Sequence, residues 1–242
     1  MSALPPPSLS VATYNVHACV GMDGVRDPER VAQVIRELDA DIVGLQEVDA
    51  GYWNAGGVDQ LAVLARQTKM HAVAGPTLVE RSKSYGNGLL SRRSPTRVQR
   101  LDLSVPGYEP RGALVADFDN DDRKMRVVVT HFGLSAAERR AQAERLLSLL
   151  DPRPGGIRIL LGDFNEWAPR RRMTRLLSAC FGPSGRMRTF PSRFPLFALD
   201  RIWVTPSTCV TTRRTIKTPL IRVASDHLPV VAELNLPVAV RR

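Results

Sequence analysis

Short apolar runs recur along the whole chain, and the helices and hairpins that separate them constrain the fold most strongly. Acidic caps followed by apolar residues at helical spacing predict helices between several of these runs. The acidic cluster at residues 119–122 instead predicts a turn that joins two strands into a hairpin. Because strands and helices alternate only in part, the order favours an α/β (α+β) fold with two mixed sheets flanked by helices.

The individual elements follow from the same periodicities. Strands are predicted over residues 9–14, 41–45, 85–90, 113–118, 125–130, 199–204 and 230–234, and in the run that begins at residue 157. Helices are predicted to open at residues 27–30 and to cover residues 59–68, 136–150 and 172–179.

One domain accounts for nearly all of the chain. With 242 residues, 43% of them hydrophobic, the sequence can bury one sizeable core. We expect a single, monomeric domain over residues 9–236, preceded by a disordered segment over residues 1–8 and followed by a basic tail over residues 237–242.

The cysteine content and the first residues predict where the protein resides. Three cysteines, an odd and low number without metal-ligand spacing, argue against a disulfide framework and for a reducing compartment. The proline-rich start does not form a secretory signal, and no apolar run approaches about 18 residues. We therefore expect a cytoplasmic protein without a membrane span.

The charge balance favours an anionic partner. The net charge is +10 and the isoelectric point is about 10.3, which suits nucleic acid, anionic lipid or another phosphorylated molecule. Charge alone does not choose among these partners, and such an excess also simply keeps a protein in solution. Arginine runs at residues 170–172 and 213–214 are more typical of solvated faces than of sites, although the first of them follows Asn165 closely.

An acid and an amide follow the apolar run that starts at Ile157. Asp163 and Asn165 come directly after the glycine that ends this run. In an extended chain, residues two apart point to the same side, so these two side chains project together from a strand end. The pair suits a site that activates water and holds a charged oxygen, but Asp and Asn are also common turn residues.

Similar polar residues follow other predicted strands. Asn15 comes after the first strand and Glu47 after the second, each offering a hard oxygen ligand. Such ligands suit Mg²⁺ or Mn²⁺ held by few protein groups and several waters. A solvated surface acid is the alternative interpretation of Glu47.

Two of the four histidines also lie at strand ends. His131 ends one apolar run, and His227 precedes another and directly follows Asp226. A further acid, Asp200, lies at the head of a predicted strand. A carboxylate beside an imidazole fixes its tautomer and keeps it protonated, ready to bind a phosphate oxygen.

Two further residues are candidates for contact with a phosphate. Asn87 lies between two glycines and predicts either a phosphate-contacting loop or an ordinary turn. Arg111, between a proline and a glycine, is a candidate phosphate clamp.

Taken together and in order, these segments resemble the endonuclease/exonuclease/phosphatase superfamily, and the compact chain is similar to its small bacterial members. That superfamily includes DNase I-like nucleases, abasic-site enzymes, neutral sphingomyelinases and inositol polyphosphate phosphatases. The resemblance extends from Val11 to Leu234. It rests on residues 13–17 (TYNVH), 45–48 (LQEV), 86–91 (GNGLLS), 130–131 (TH), 162–165 (GDFN), 199–202 (LDRI) and 225–229 (SDHLP).

The resemblance implies a four-layered α/β sandwich and divalent-metal-dependent cleavage of a phosphate ester. The matched positions imply the following roles: Glu47 as the principal metal ligand with Asn15 beside it and Asp226 nearby, Asp163 as the residue that orients or deprotonates water, Asn165 as a donor to a phosphoryl oxygen, His227 and His131 as phosphate-binding imidazoles, and Asp200 as the partner of His227.

The expected activity is a Mg²⁺-dependent hydrolase, with Mn²⁺ as an alternative ion, that cleaves phosphodiesters by in-line attack of water. A nuclease leads narrowly over a sphingomyelinase-like phospholipid phosphodiesterase or a phosphoinositide-type phosphatase. The partner is then a nucleic acid or a phospholipid-related ester, with peripheral contact to an anionic membrane also open. A catalytically silent phosphate-binding module is the non-enzymatic alternative.

Overall fold

A computed structural model describes residues 8–53, 57–120, 123–150, 156–168 and 172–236. Several predictions fall outside these residues: the N-terminal segment up to residue 7, residues 121–122 of the hairpin turn, arginines 170 and 171, and the basic tail over residues 237–242.

The first sheet contains six strands in the order β10-β11-β1-β2-β4-β3. Only β1 and β2 pair in parallel among these neighbours, and the other pairs are antiparallel. Its strands are β1 (Ser8–Asn15), β2 (Ile42–Ala50), β3 (His71–Glu80), β4 (Lys83–Ser91), β10 (Val210–Thr215) and β11 (Val230–Asn235).

The second sheet contains five strands in the order β5-β6-β7-β8-β9. Here β7 and β8 form the parallel pair, while β6 and β7 form the predicted hairpin. Its strands are β5 (Arg97–Asp102), β6 (Gly112–Asn120), β7 (Arg123–His131), β8 (Ile157–Asp163) and β9 (Asp200–Thr205).

Helices cover the outer face of each sheet, so the molecule has the four expected layers. On the six-stranded sheet, α1 packs through Val34 and Ile35 and α2 through Leu64. On the five-stranded sheet, α3 packs through Leu146 and α4 through Leu177. The helices are α1 (Pro28–Leu38), α2 (Gln60–Thr68), α3 (Ala136–Leu149), α4 (Arg172–Phe181) and α5 (Pro219–Ala224).

The two sheets pack directly against each other through an apolar layer that lies between them. Val11, Leu89, Leu161 and Ile202 belong to this fully buried layer. The sheets approach closely at Gly44 of β2, where an added Cβ would lie 3.0 Å from Val129 Cγ2 and closer still to Leu161. Gly44 therefore lets the parallel pairs of the two sheets meet, which matters because both pairs end at the same site.

The structure adds elements that the apolar pattern did not predict. Strands β3, β5 and β10 are edge strands, and α5 is a short helix before the last strand. Strand β2 also continues to Ala50. Glu47 therefore lies within a strand, whereas the sequence had predicted it after the end of one. Among the described residues, no helix is both long and apolar enough to cross a lipid bilayer.

Candidate active site

Strand register brings three of the predicted site residues into one row. His131 ends β7 opposite Asp163 of β8, and Asp163 in turn pairs with Asp200 at the start of β9. In the other sheet, Asn15 ends β1 opposite Gln46 of β2. Because both parallel pairs end at the same side of the sandwich, their polar ends face one cleft.

Asn15 joins the two sheets through its side-chain amide. Its Nδ2 donates to Glu47 Oε1 at 2.8 Å and to Asp163 Oδ2 at 3.1 Å, while its Oδ1 accepts from the His17 amide at 3.0 Å. A backbone N–H can only donate, so the carbonyl of Asn15 must face His17. In this arrangement Asn15 turns its donor toward the two carboxylates and holds them in place, and its role as a metal ligand stays a prediction.

Glu47 is aimed into the cleft by an irregular backbone. The β2–β4 register shifts between Leu45 and Val48, and Glu47 adopts φ 60° in the left-handed region. This conformation costs a non-glycine residue about 1–3 kcal/mol and is typical of functional sites. Burial first, and then the charge of Glu47, raise the pKa of Tyr85 well above its usual value, so its hydroxyl stays protonated beside the carboxylate.

Asp163 is a fully buried carboxylate with a raised pKa. Burial raises the pKa of Asp163 to about 6, and the neighbouring Asp200 adds to the effect while His227 opposes it. Its Oδ1 accepts from the backbone N–H of Asn165 at 2.9 Å. At neutral pH the group is therefore mostly ionised, yet it binds a proton far more readily than an ordinary aspartate.

His227 and Asp200 form a buried ion pair beside Asp163. The distance from His227 Nδ1 to Asp200 Oδ2 is 2.8 Å, and His227 Nε2 lies 3.7 Å from Asp163 Oδ2. Burial alone would lower the pKa of His227, but the charges of Asp200 and Asp163 outweigh it and raise the pKa to about 10. The pairing predicted from the sequence thus gives a cation whose Nε2–H is available to the cleft.

His131 differs from the prediction of a protonated imidazole. Burial, followed by the positive charges of Arg111 and His227, lowers its pKa well below the usual value, so the ring is neutral. Arg111 Nη1 lies 3.0 Å from His131 Nδ1. Since a guanidinium only donates, Nδ1 accepts and the ring proton is on Nε2, which lies 3.6 Å from Asp163 Oδ2.

Asn165 lines the cleft with one of its two side-chain amide hydrogens engaged. Its Nδ2 donates to the Phe132 carbonyl at 2.9 Å and lies 3.2 Å from His131 Nε2. Because His131 Nε2 carries the ring proton and cannot accept, the second hydrogen of Nδ2 is left for the predicted donation to a phosphoryl oxygen. The residue also has φ 48°, the second left-handed backbone in the site.

Asn15, Asp200, Asn87 and Asp226 are the predicted residues that do not line the cleft. Asn87 is inside β4, neither in a loop nor in a turn, and its Nδ2 donates to Gly112 O at 3.1 Å, next to Arg111. Asp226 faces Ser225 Oγ at 3.4 Å and His17 Nδ1 at 3.9 Å. Asp226 still acts on the site electrostatically, because its charge contributes to the raised pKa of His227.

The cleft encloses about 230 Å³ and has an apolar wall that the sequence did not reveal. Leu134, Trp167 and Phe190 line it together with the polar residues. The Phe190 ring lies 4.9 Å from the His227 ring and 5.5 Å from that of Trp167. These residues lie in loops without periodic patterns, so no sequence signal marked them.

A buried ion pair beneath the cleft was also missed. Arg139 of α3 lies 3.4 Å from Glu166 Oε1 and donates to the carbonyls of Gly133 and Leu134. It thereby connects the loop after β7 to the loop after β8. In the sequence, only the position of Glu166 next to Asn165 pointed to this ion pair.

The residues present fit a divalent cation at Glu47. Glu47 and Asp163 are two carboxylates bridged by a single neutral amide, and their hard oxygens suit Mg²⁺ or Mn²⁺. Asp163, Asp200 and His227 also lie within 4.8 Å of one another. That trio is a poorer site, because a protonated imidazole has no lone pair to offer a metal.

Comparison with known proteins agrees with this geometry. The chain is 32% identical to the uncharacterized protein YbhP of Escherichia coli (strain K12), covering 95% of this chain and 97% of that protein. An endonuclease/exonuclease/phosphatase structure from Beutenbergia cavernae DSM 12333 aligns with TM-score 0.75 and 26% identity, covering 96% and 73% of the two chains.

A third similarity, to the mannosyl-6-phosphatase Bt3783 of Bacteroides thetaiotaomicron VPI-5482, has TM-score 0.72 and 19% identity over 93% of this chain and 99% of the other. At this identity the likeness shows a shared fold. The sequence model of the Endonuclease/Exonuclease/phosphatase family matches residues 12–227. The chain therefore belongs to the endonuclease/exonuclease/phosphatase family, whose members are metal-dependent phosphoester hydrolases.

Proposed function

We propose that this protein is a Mg²⁺-dependent phosphodiesterase that cleaves its substrate by in-line attack of water. The observation that carries the proposal is the contact of Asn15 with both Glu47 and Asp163, next to the protonated His227. It supports the proposal because a carboxylate able to bind a metal, a carboxylate able to accept a proton and a cation would then surround one cleft, as phosphoryl transfer requires.

Asp163 is suited to accept the proton of the attacking water. At neutral pH the carboxylate is ionised, and its pKa of about 6 makes it a stronger base than a solvated aspartate. The backbone N–H of Asn165 and the side-chain amide of Asn15 hold its two oxygens in fixed directions. The water oxygen then bonds to phosphorus while the ester oxygen opposite departs with the bonding electron pair.

His227 is suited to bind a phosphoryl oxygen as charge builds on it. Asp200 occupies Nδ1 and keeps the imidazole protonated, which leaves Nε2–H for the substrate. Arg111 adds a second cation on the cleft wall, 3.5 Å from Glu109 and in contact with His131. Two fixed cations favour a diester or monoester anion over a neutral ester.

A divalent cation held by Glu47, with Asp163 nearby, would supply positive charge that stabilises the phosphoryl oxygens in the transition state. The Glu47 side chain is partly exposed at the cleft, so an ion can reach it from solvent.

The direct test is hydrolysis of bis-p-nitrophenyl phosphate with Mg²⁺, with Mn²⁺ and with EDTA. We expect metal-dependent turnover that falls by about 10²-fold or more in Asp163→Asn and in Glu47→Gln. Glu144→Gln, on the exposed face of α3, is the matched control for the loss of a surface acid, and Glu47→Gln purified in the same way is the control for contaminating enzymes. Turnover that persists in Glu47→Gln or in EDTA would overturn the proposal. No turnover on this substrate, nucleic acid or lipid would favour a phosphate-binding module.

A further inference from the structure

A group of large apolar side chains lies exposed around the mouth of the cleft. We call Leu134, Trp167, Phe194, Leu196 and Phe197 the apolar rim. Phe194 is 77% exposed, Leu134 68% and Leu196 63%, values unusual for side chains of this size. Leu134 and Trp167 line the cleft, and the Phe197 ring lies 5.0 Å from that of Trp167. Trp167 and Phe197 therefore connect the apolar rim to the apolar wall of the cleft.

The loop that carries most of the rim has a fixed shape. Residues 190–197 form a closed turn in which the amides of Leu196 and Phe197 donate to the Phe190 carbonyl at 2.8 and 2.9 Å. Ser192 N donates to Asp226 O at 2.7 Å, so the turn is attached to the segment that carries His227. Phe194 and Leu196 are therefore exposed on a loop of defined shape.

Positive charge lies beside this loop. Between residues 182 and 199 the sequence contains three arginines and no acid. Arg193 lies at the tip next to Phe194, and Arg222 Nη1 donates to the Arg193 carbonyl at 2.6 Å. Exposed apolar side chains beside arginines match an anionic lipid surface, where the apolar groups enter the acyl boundary and the cations meet the head groups.

We propose that the apolar rim docks this protein on an anionic phospholipid membrane, with the cleft facing the head groups. The proposal rests on the proposed function, because it names membrane phospholipids as the source of the phosphate ester. Nucleic acid fits only part of the rim: Trp167, Phe194 and Phe197 could stack on bases, whereas Leu134 and Leu196 offer no aromatic face. They do offer apolar area that a bilayer buries.

Vesicle co-sedimentation in EDTA tests docking independently of turnover. We expect binding to phosphatidylcholine vesicles that contain phosphatidylserine, and weaker binding to phosphatidylcholine alone or at high salt. Phe194→Ser combined with Leu196→Ser should weaken binding at least about tenfold, given the apolar area withdrawn, and Arg193→Gln about fivefold. Both changes are at exposed positions, and circular dichroism melts would verify that the fold is retained.

Leu149→Ser is the matched control. Leu149 is 45% exposed and ends α3, about 20 Å along the helix from the cleft. We expect this variant to bind vesicles as the parent does. Vesicle binding that is missing, or that is equal in the parent and the double variant, would overturn the proposal. A double variant that instead loses affinity for a single-stranded oligonucleotide would assign the rim to nucleic acid.

The Glu47→Gln variant separates this proposal from the proposed function. It should bind vesicles like the parent while hydrolysing no phosphodiester. A parent that binds vesicles but hydrolyses neither lipid nor soluble diester would refute the catalytic proposal alone. A parent that hydrolyses soluble diesters but does not bind vesicles would refute docking alone.

Discussion

Asn15 and Asp163 belong to different sheets, yet the Asn15 amide nitrogen lies 3.1 Å from a carboxylate oxygen of Asp163. The same nitrogen contacts Glu47, so one neutral side chain separates two acids that would otherwise repel each other. Hydrogen bonds to an ionised carboxylate favour that form, and the Asn15 contact lowers the pKa of Asp163 against the larger effect of burial.

Replacing Asn15 should therefore change both turnover and its pH dependence. In Asn15→Ala we expect the pKa of Asp163 to rise above about 6, because a contact that favours the ionised form is lost. Turnover should fall about 10- to 100-fold, since the two carboxylates also lose their positioning. Initial rates measured between pH 5 and 9 would show the acidic limb moving upward.

Asn235→Ala is the control for this change, because Asn235 is an exposed strand-end asparagine of the same sheet. It should leave the profile as in the parent. An unshifted acidic limb in Asn15→Ala would mean that Asp163 is not the group that titrates in turnover.

The strands that the sequence predicted well are those buried on both faces. Strands β1, β7, β8 and β11 appear as apolar runs because they are covered on both sides by other layers. Strands β3, β5 and β10 lie at sheet edges and carry exposed or charged residues, as edge strands commonly do. Their sequences therefore lack the pattern on which the prediction depended.

The titration of His227 gives a second pH prediction. Activity requires Asp163 ionised and His227 protonated, so turnover should rise as pH passes about 6 and fall as it passes about 10. Asp200 is the largest of the charges that raise the pKa of His227. In Asp200→Asn we expect the alkaline limb to move toward neutral pH, because the largest charge that raises the pKa of His227 is lost.

A chemical-shift titration of the His227 ring would check the same shift without relying on turnover. The expected result is a pKa well below about 10 in Asp200→Asn. An unchanged His227 titration would contradict the assigned ion pair.

Within the site, residue types were predictable from strand ends, but their states were not. The prediction that His131 would be protonated was wrong, because Arg111 reaches its ring across the β6–β7 pair and burial removes the hydration of a cation. The roles of Asn15 and Asn87 likewise depend on which partner each amide meets. Such contacts follow from register and sheet packing, which local sequence patterns do not encode.

The close approach of the two sheets at Gly44 should be sensitive to a single methyl group. Gly44→Ala would place a Cβ against Leu161, and overpacking of a rigid core costs about 1–3 kcal/mol. In a Leu161→Val background the penalty should be smaller, because the contacting Cδ1 is removed. A double-mutant cycle of urea midpoints measures the difference, and equal penalties in both backgrounds would place the strain elsewhere.

The Arg139–Glu166 pair should contribute far more to stability than a neighbouring ion pair on the same helix. Both side chains are at least 95% buried, so Arg139→Met leaves Glu166 charged without its partner. We expect a loss of about 3–5 kcal/mol in the free energy of unfolding. Arg140→Met breaks an exposed i,i+4 pair with Glu144 and should cost only about 0.3–0.5 kcal/mol. Urea unfolding of both single variants measures these losses. The double variant Arg139→Met with Glu166→Leu, which removes both buried charges, is the comparison. Similar losses in the two single variants would show that the buried pair does not hold the catalytic loops.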